Sequence, residues 1–275
     1  MCPLDKTQLP FIVDLMDDDT VEVRTEVLNA LKVYGLNLEQ DLQSVSERID
    51  NIKSELVKPI LLENRREWLK LQWPNLKIIT DEYLFLEKAI ELIVKFQYGL
   101  TFELNIDKRM CELRDEFNVC YPFGSVLELA NFLFVEKDFR GAKDDYYNPL
   151  NSNLIYTLEN KRGLPITLTI LYILAAKKLD FRVEGCRFPG HFLAKAFIHE
   201  RYVLVDCFNR GRLIFEKELR YITLDSYEPF MEIINEKTTN KMIVSRMLTN
   251  LSKAYENLSD EANKNLFNDL GLIVI

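Results

Sequence analysis

The sequence predicts an α+β protein: a helix-plus-antiparallel-sheet core set between a helical N-terminal region and a helical C-terminal tail. Three observations carry this. Gly and Pro number nine each in 275 residues, about half the share of an average chain, which favours long helices over an all-β barrel or sandwich. Apolar residues recur at helical spacing through both ends. Between them, 181–215 breaks into short runs rich in β-branched and aromatic residues, each bounded by turn signals.

Taken in order, residues 9–34 read as a helical hairpin. Leu9, Ile12, Val13 and Met16 precede Asp17-Asp18-Asp19-Thr20, and Val23, Val27 and Leu31 follow. The acidic run is a solvated turn with Asp19 or Thr20 capping the second helix; a calcium loop needs spaced ligands and a glycine. The hairpin resembles one HEAT-type repeat, without a second copy at a fixed period. Residues 38–75 are charged and amphipathic, with Pro74 expected to end a helix. Residues 81–98, 105–118 and 123–136 read as three more helices, 141–149 as a loop and 153–159 as a short helix. Pro165 opens a helix running to Leu179, because proline's missing N–H costs nothing at a first helical position. Strands follow at 181–188, 191–198, 202–206 and 212–215, antiparallel because the connections are too short for crossover helices. From Phe230 the chain is helical again, with 241–257 and 261–270 as a closing hairpin. The expected division is 1–138, 139–228 and 229–275.

Net charge is −8, from 35 basic and 43 acidic residues. An acidic chain has no general attraction to nucleic acid or anionic lipid. The five cysteines are odd in number and widely spaced, no CxxC occurs, and there are two histidines, His191 and His199. No disulfide framework, metal site or cofactor is therefore expected, and free thiols suit a reducing compartment. The N-terminal acidic run lies where a signal peptide needs an apolar stretch. The longest apolar stretch, 164–176, falls short of the roughly 20 residues that span a bilayer. The expectation is a soluble cytoplasmic protein.

His191 and Asp206 lie fifteen residues apart. A hairpin turning near 197–200 sets them opposite one another on one face, an imidazole beside a carboxylate. Such a pair is the base and orienter of a nucleophilic triad, or a plain hydrogen bond tying two strands. Pro189-Gly190 reads as a turn positioning His191. Asn209 and Gly211 build the next turn, with Gly211 free to take positive φ. The nucleophile is the open question, with Cys186, Cys207, Thr167 and Thr169 as the nearby choices.

The segments GLPITLTILYILAAKKL, FPGHFLAKAF and LVDCFNRG, approached by YYNPLNSNL, resemble the SirB family, whose core varies the transglutaminase-like, papain-like fold. The resemblance covers 140–215 most specifically. It implies a Cys–His–Asp triad in an antiparallel sheet behind a helix, with His191 in the His place and Asp206 in the Asp place. The Cys place, two residues after Gly163, holds Pro165, which has no nucleophilic atom. Asp206-Cys207-Phe208 also departs from the family's Asp-Pro-Phe. The resemblance points to a non-catalytic protein- or peptide-binding adaptor whose groove lies near Pro165, Pro189, Gly190, Asn209 and Gly211. A hydrolase or acyl-transferase using His191 and Asp206 is the alternative. An indirect part in gene regulation is a third reading.

Overall fold

The computed structural model describes residues 6–188, 190–199, 201–215, 218, 231–232 and 234–274. These fall into two compact units, one drawn from 1–73 and 95–103 and another from 74–94 and 104–275.

The first unit opens with the expected hairpin, α1 (Leu9–Asp14) and α2 (Val21–Val33). The acidic run is the turn between them. Thr20 is the N-cap residue of α2, as expected, though its side chain makes no capping bond; Asp18 Oδ1 accepts from the Thr20 N–H at 2.8 Å and closes the turn. Helices α3 (Leu38–Gln43) and α4 (Asn51–Gln72) follow. Asp50 caps α4 through the Lys53 N–H at 2.9 Å. The apolar stripes of these helices close over Leu9, Val13, Met16, Val27, Leu31, Leu38 and Ile60. Helix α4 ends at Gln72 with Trp73 as its C-cap, just before Pro74 as expected, and Trp73–Ile78 follows as a 3-10 helix.

The second unit holds the sheet. Helix α5 (Glu82–Tyr98), whose residues 95–98 are counted with the first unit, and helices α6 (Ile106–Cys120) and α7 (Val126–Asn131) precede it. A capping box on Ser125 and Glu128 starts α7. Residues Phe132–Glu136 then wind into a π-helix, so the single helix expected over 123–136 is instead two kinds of turn. Helix α8 (Leu154–Asn160) and helix α9 (Pro165–Lys177) follow, with proline at the first position of α9. Twelve consecutive residues of α9, Pro165 to Ala176, are buried. A helix apolar all round can only be a core helix. It packs on α6, α7, α8 and the sheet, and Tyr172 Oη donates to Val126 O at 2.5 Å.

Two sheets are present among the described residues. Two-residue strands β1 (Arg140–Gly141) and β2 (Arg162–Gly163), unforeseen in the sequence, pair in parallel. The other sheet runs β3 (Val183–Cys186), β4 (Leu193–Ile198), β5 (Arg201–Asp206) and β6 (Arg212–Ile214), antiparallel in that order. The Ile198↔Arg201 pairing leaves a two-residue hairpin loop, where His199 takes φ 54°. Lys195 is buried on β4 and donates to Ile234 O and Glu236 O at 3.2 and 3.1 Å, fastening the following segment to the sheet. Helices α10 (Asn240–Asn257) and α11 (Glu261–Val274) complete the unit as the expected hairpin. Phe230, from which the closing helical region was expected, lies outside the described residues. No helix among the described residues is long and apolar enough to cross a membrane.

Candidate functional site

Strand β5 ends at Asp206, and the chain reverses through 207–210 to re-enter the sheet with Arg212 paired to Asp206. Arg210 (φ 58°) and Gly211 (φ 68°) make that reversal. Gly211 meets two demands at once, since a Cβ there would also lie 2.8 Å from the Phe134 ring. The tight turn brings Asn209 back over Asp206. Its N–H donates to Oδ1 at 3.1 Å and its Nδ2 donates to Oδ2 at 2.8 Å.

His191 supplies the third donor. Its Nε2 lies 2.9 Å from Asp206 Oδ1. An ionised carboxylate only accepts, so Nε2 carries the proton and Nδ1 is left as the second ring nitrogen. The side chain of Asp206 is 8% exposed and that of His191 26%, so the pair opens to solvent from the imidazole side. Burial pushes the Asp206 carboxyl up, but the bonds from His191 and Asn209 outweigh it and hold the group below the ordinary carboxylate value.

The spacing argument sets His191 directly across from Asp206 on a strand, and the register corrects this. Ala194 pairs with Val205, so the position facing Asp206 is Leu193, and His191 precedes β4 by two residues. The strand starts late because 186–191 is a double turn: Phe188 N–H donates to Cys186 O and His191 N–H to Phe188 O, both at 2.9 Å. Gly190 carries φ 75° there, and Pro189 lies outside the described residues. The imidazole reaches Asp206 on the diagonal.

Pro165 is buried at the start of α9. Thr167 Oγ1 donates to Asn151 O at 2.9 Å and Leu164 N–H donates to the same oxygen at 3.1 Å, so this end of α9 is fastened to the 149–152 turn. The candidate thiols are poorly set for chemistry. Cys186 is buried, which pushes its thiol up to about 11. Cys207 is wholly buried, and that burial pushes its thiol far up. Neither is hydrogen-bonded to His191, and a reactive thiol needs an exposed, electropositive setting.

Phe208 links this site to a second feature. Its ring meets the His191 ring edge-on at 6.1 Å, and Tyr146 at 6.1 Å on another side. It also lies against Gly141, where a Cβ would fall 2.4 Å from the ring and force it to shift. Beyond it opens a cleft of about 600 Å³ lined by Arg140, Lys143, Asp144, Asp145, Arg162 and Arg210 among others. Sequence reasoning missed these arginines; the doublet Arg-Gly at 140–141 and again at 162–163 was the available signal.

A sequence model of the Transglutaminase-like superfamily matches residues 101–249, more than half of the chain. The chain belongs to that superfamily. It is 29% identical over 202 residues to a "UPF0162 protein" of Xylella fastidiosa, covering 67% of this chain and 70% of the relative. It is 28% identical over 151 residues to "F-box only protein 21" of Mus musculus, covering 49% of this chain and 24% of that protein. It is 25% identical over 125 residues to a "UPF0162 protein" of Vibrio cholerae, covering 44% and 46%. No solved structure matches the chain significantly.

Proposed function

We propose that this chain is a SirB-type, non-catalytic member of the superfamily that binds a peptide or protein segment beside His191. One observation carries the reading. By the resemblance to the SirB family, Pro165 takes the nucleophile's place; it is buried at the first turn of α9, while His191 and Asp206 are paired at 2.9 Å. A triad without its nucleophile loses most of its catalytic effect, yet the pair still holds the rim of an accessible surface. The match to about a quarter of F-box only protein 21 fits a module reused inside larger proteins. Four unpaired cysteines among the described residues suit the reducing, cytoplasmic setting we assign to it.

One alternative keeps a specific support. With Nε2 committed to Asp206, Nδ1 of a part-exposed imidazole is free to act as a base toward water. An array of random peptides separates the two readings. The purified chain is expected to retain a subset of peptides and to leave them chemically unchanged by mass spectrometry. Hydrolysis or acyl transfer that disappears in His191→Ala overturns the binding reading in favour of an enzyme.

A further inference from the structure

The arginine cleft carries an inference of its own. Three guanidiniums from segments far apart in sequence converge on a single carboxylate. Asp138 lies 3.5 Å from Arg140 Nη1, 3.7 Å from Arg162 Nη1 and 3.3 Å from Arg210 Nη2. Each guanidinium carries five N–H donors; Arg162 Nη1 also donates to the Lys161 and Asp138 carbonyls at 2.9 and 3.4 Å, and one carboxylate still leaves several donors of the three unmatched by acidic groups. Arg140 and Arg162 are also register partners of the parallel pair β1–β2. Paired positions share a face, and like charges set there repel one another.

The backbone around the cleft is strained as well. Asp138 (φ 56°), Lys161 (φ 60°) and Arg210 (φ 58°) are three of six described non-glycine residues with positive φ, and each stands in or next to one of the arginine segments. Lys161 is the left-handed C-cap of α8, and residues in this conformation gather at ligand clamps. Like-charge pairing and strain at one place mark a site kept for something other than stability. Acidic groups do approach: Asp144 and Asp145 also line the cleft, but the Asp145 carboxylate already accepts from Asn148 Nδ2 at 2.8 Å.

We infer that this cleft binds an acidic peptide segment, Arg140, Arg162 and Arg210 receiving the oxyanion of an aspartate, glutamate or phosphorylated side chain. Guanidinium forks match carboxylate and phosphate oxygens two by two. Asp138 does not line the cleft but pairs with the three guanidiniums, so the oxyanion of an arriving peptide competes with it for them. Phe208 forms the wall shared with His191, so a bound segment can run from one site to the other. This rests on the peptide-binding reading above and names the chemistry of the peptide.

The test uses the same array, with central residues varied among Glu, Gln and phosphoserine, and with inorganic phosphate as competitor. Retained peptides are expected to favour Glu or phosphoserine over Gln by about tenfold, an amount within the reach of one charge-assisted fork. Comparison of the Glu and phosphoserine arms identifies the source of the oxyanion. The preference is expected to vanish in Arg210→Gln, a half-exposed position whose loss spares the core, and to weaken as salt rises. Asp138→Asn is expected to tighten the acidic peptides, since it removes the internal competitor. Asparagine tolerates the left-handed backbone, so this variant folds, and a purely structural arginine cluster would not give a gain. Peptides retained without acidic preference, or a preference that survives Arg210→Gln, overturn this inference and leave peptide binding standing. Inorganic phosphate displacing acidic peptides as well as free peptide does overturns the peptide as ligand in favour of a small anion. An array that retains nothing overturns both readings.

Discussion

Two carboxylates organise this part of the molecule, and they do so in opposite ways. Asp206 is nearly buried and receives three donors, from His191 and twice from Asn209, at 2.8–3.1 Å. Its demand and supply match. Asp138 is 43% exposed and faces three guanidiniums at 3.3–3.7 Å, where supply exceeds demand. A matched cluster stabilises the fold; an unmatched one awaits an acceptor. One chain thus shows both uses of the same chemical group.

The contrast can be broken by substitution. Asp206→Ala strands three donors in a buried setting and is expected to cost roughly 3 kcal/mol, near the sum of lost charged hydrogen bonds and unmet donors. The urea midpoint should fall with its slope unchanged. The sign of the pH dependence follows from the same group. Asp206 is held below its unfolded value, so its contribution is complete above the unfolded carboxyl range, about 4. It is lost as pH falls through the lower folded value. Acid unfolding should therefore become less steep in Asp206→Ala; an unchanged acid limb would mean that the carboxylate is not stabilised by its donors.

Smaller effects sharpen the comparison. Gly141→Ala drives a Cβ to within 2.4 Å of Phe208 and is expected to cost about 2 kcal/mol as overpacking, read as a lowered thermal midpoint. His191→Ala removes one donor from Asp206 at a part-exposed position and is expected to cost about 1 kcal/mol. Asp138→Asn is expected to change stability by less than about 0.5 kcal/mol, the usual worth of exposed ion pairs. If Asp138→Asn proves as damaging as Asp206→Ala, the distinction between the two carboxylates fails.

Much of this architecture is legible in the residues. Helix α9 announces itself through Pro165 and an unbroken apolar run, and β3 to β6 through β-branched residues between turns. His191 and Asp206 meet as their spacing implies, although the register places them on a diagonal, because a turn at 186–191 delays β4. The π-helix at 132–136 has no distinct periodicity to read, since its residues are as apolar as those of an ordinary helix. The arginine cleft escapes for another reason. It is assembled from residues at 140, 162 and 210, two of them on strands of two residues, too short for any alternation to register. Asn209 is legible as a turn residue, but its grip on Asp206 depends on the Arg210–Gly211 reversal bringing it back.

Helix α9 has one more consequence. It touches helices made before it and strands made after it, and solvent reaches almost none of it. Its amide protons can exchange with deuterium only when the surrounding unit opens as a whole. Their exchange rate then reports global stability, and a ligand that binds only the folded chain must slow it in proportion to occupancy. Deuterium uptake along α9 thus offers a label-free gauge of whether the cleft has found its ligand, read from a helix that lines none of it.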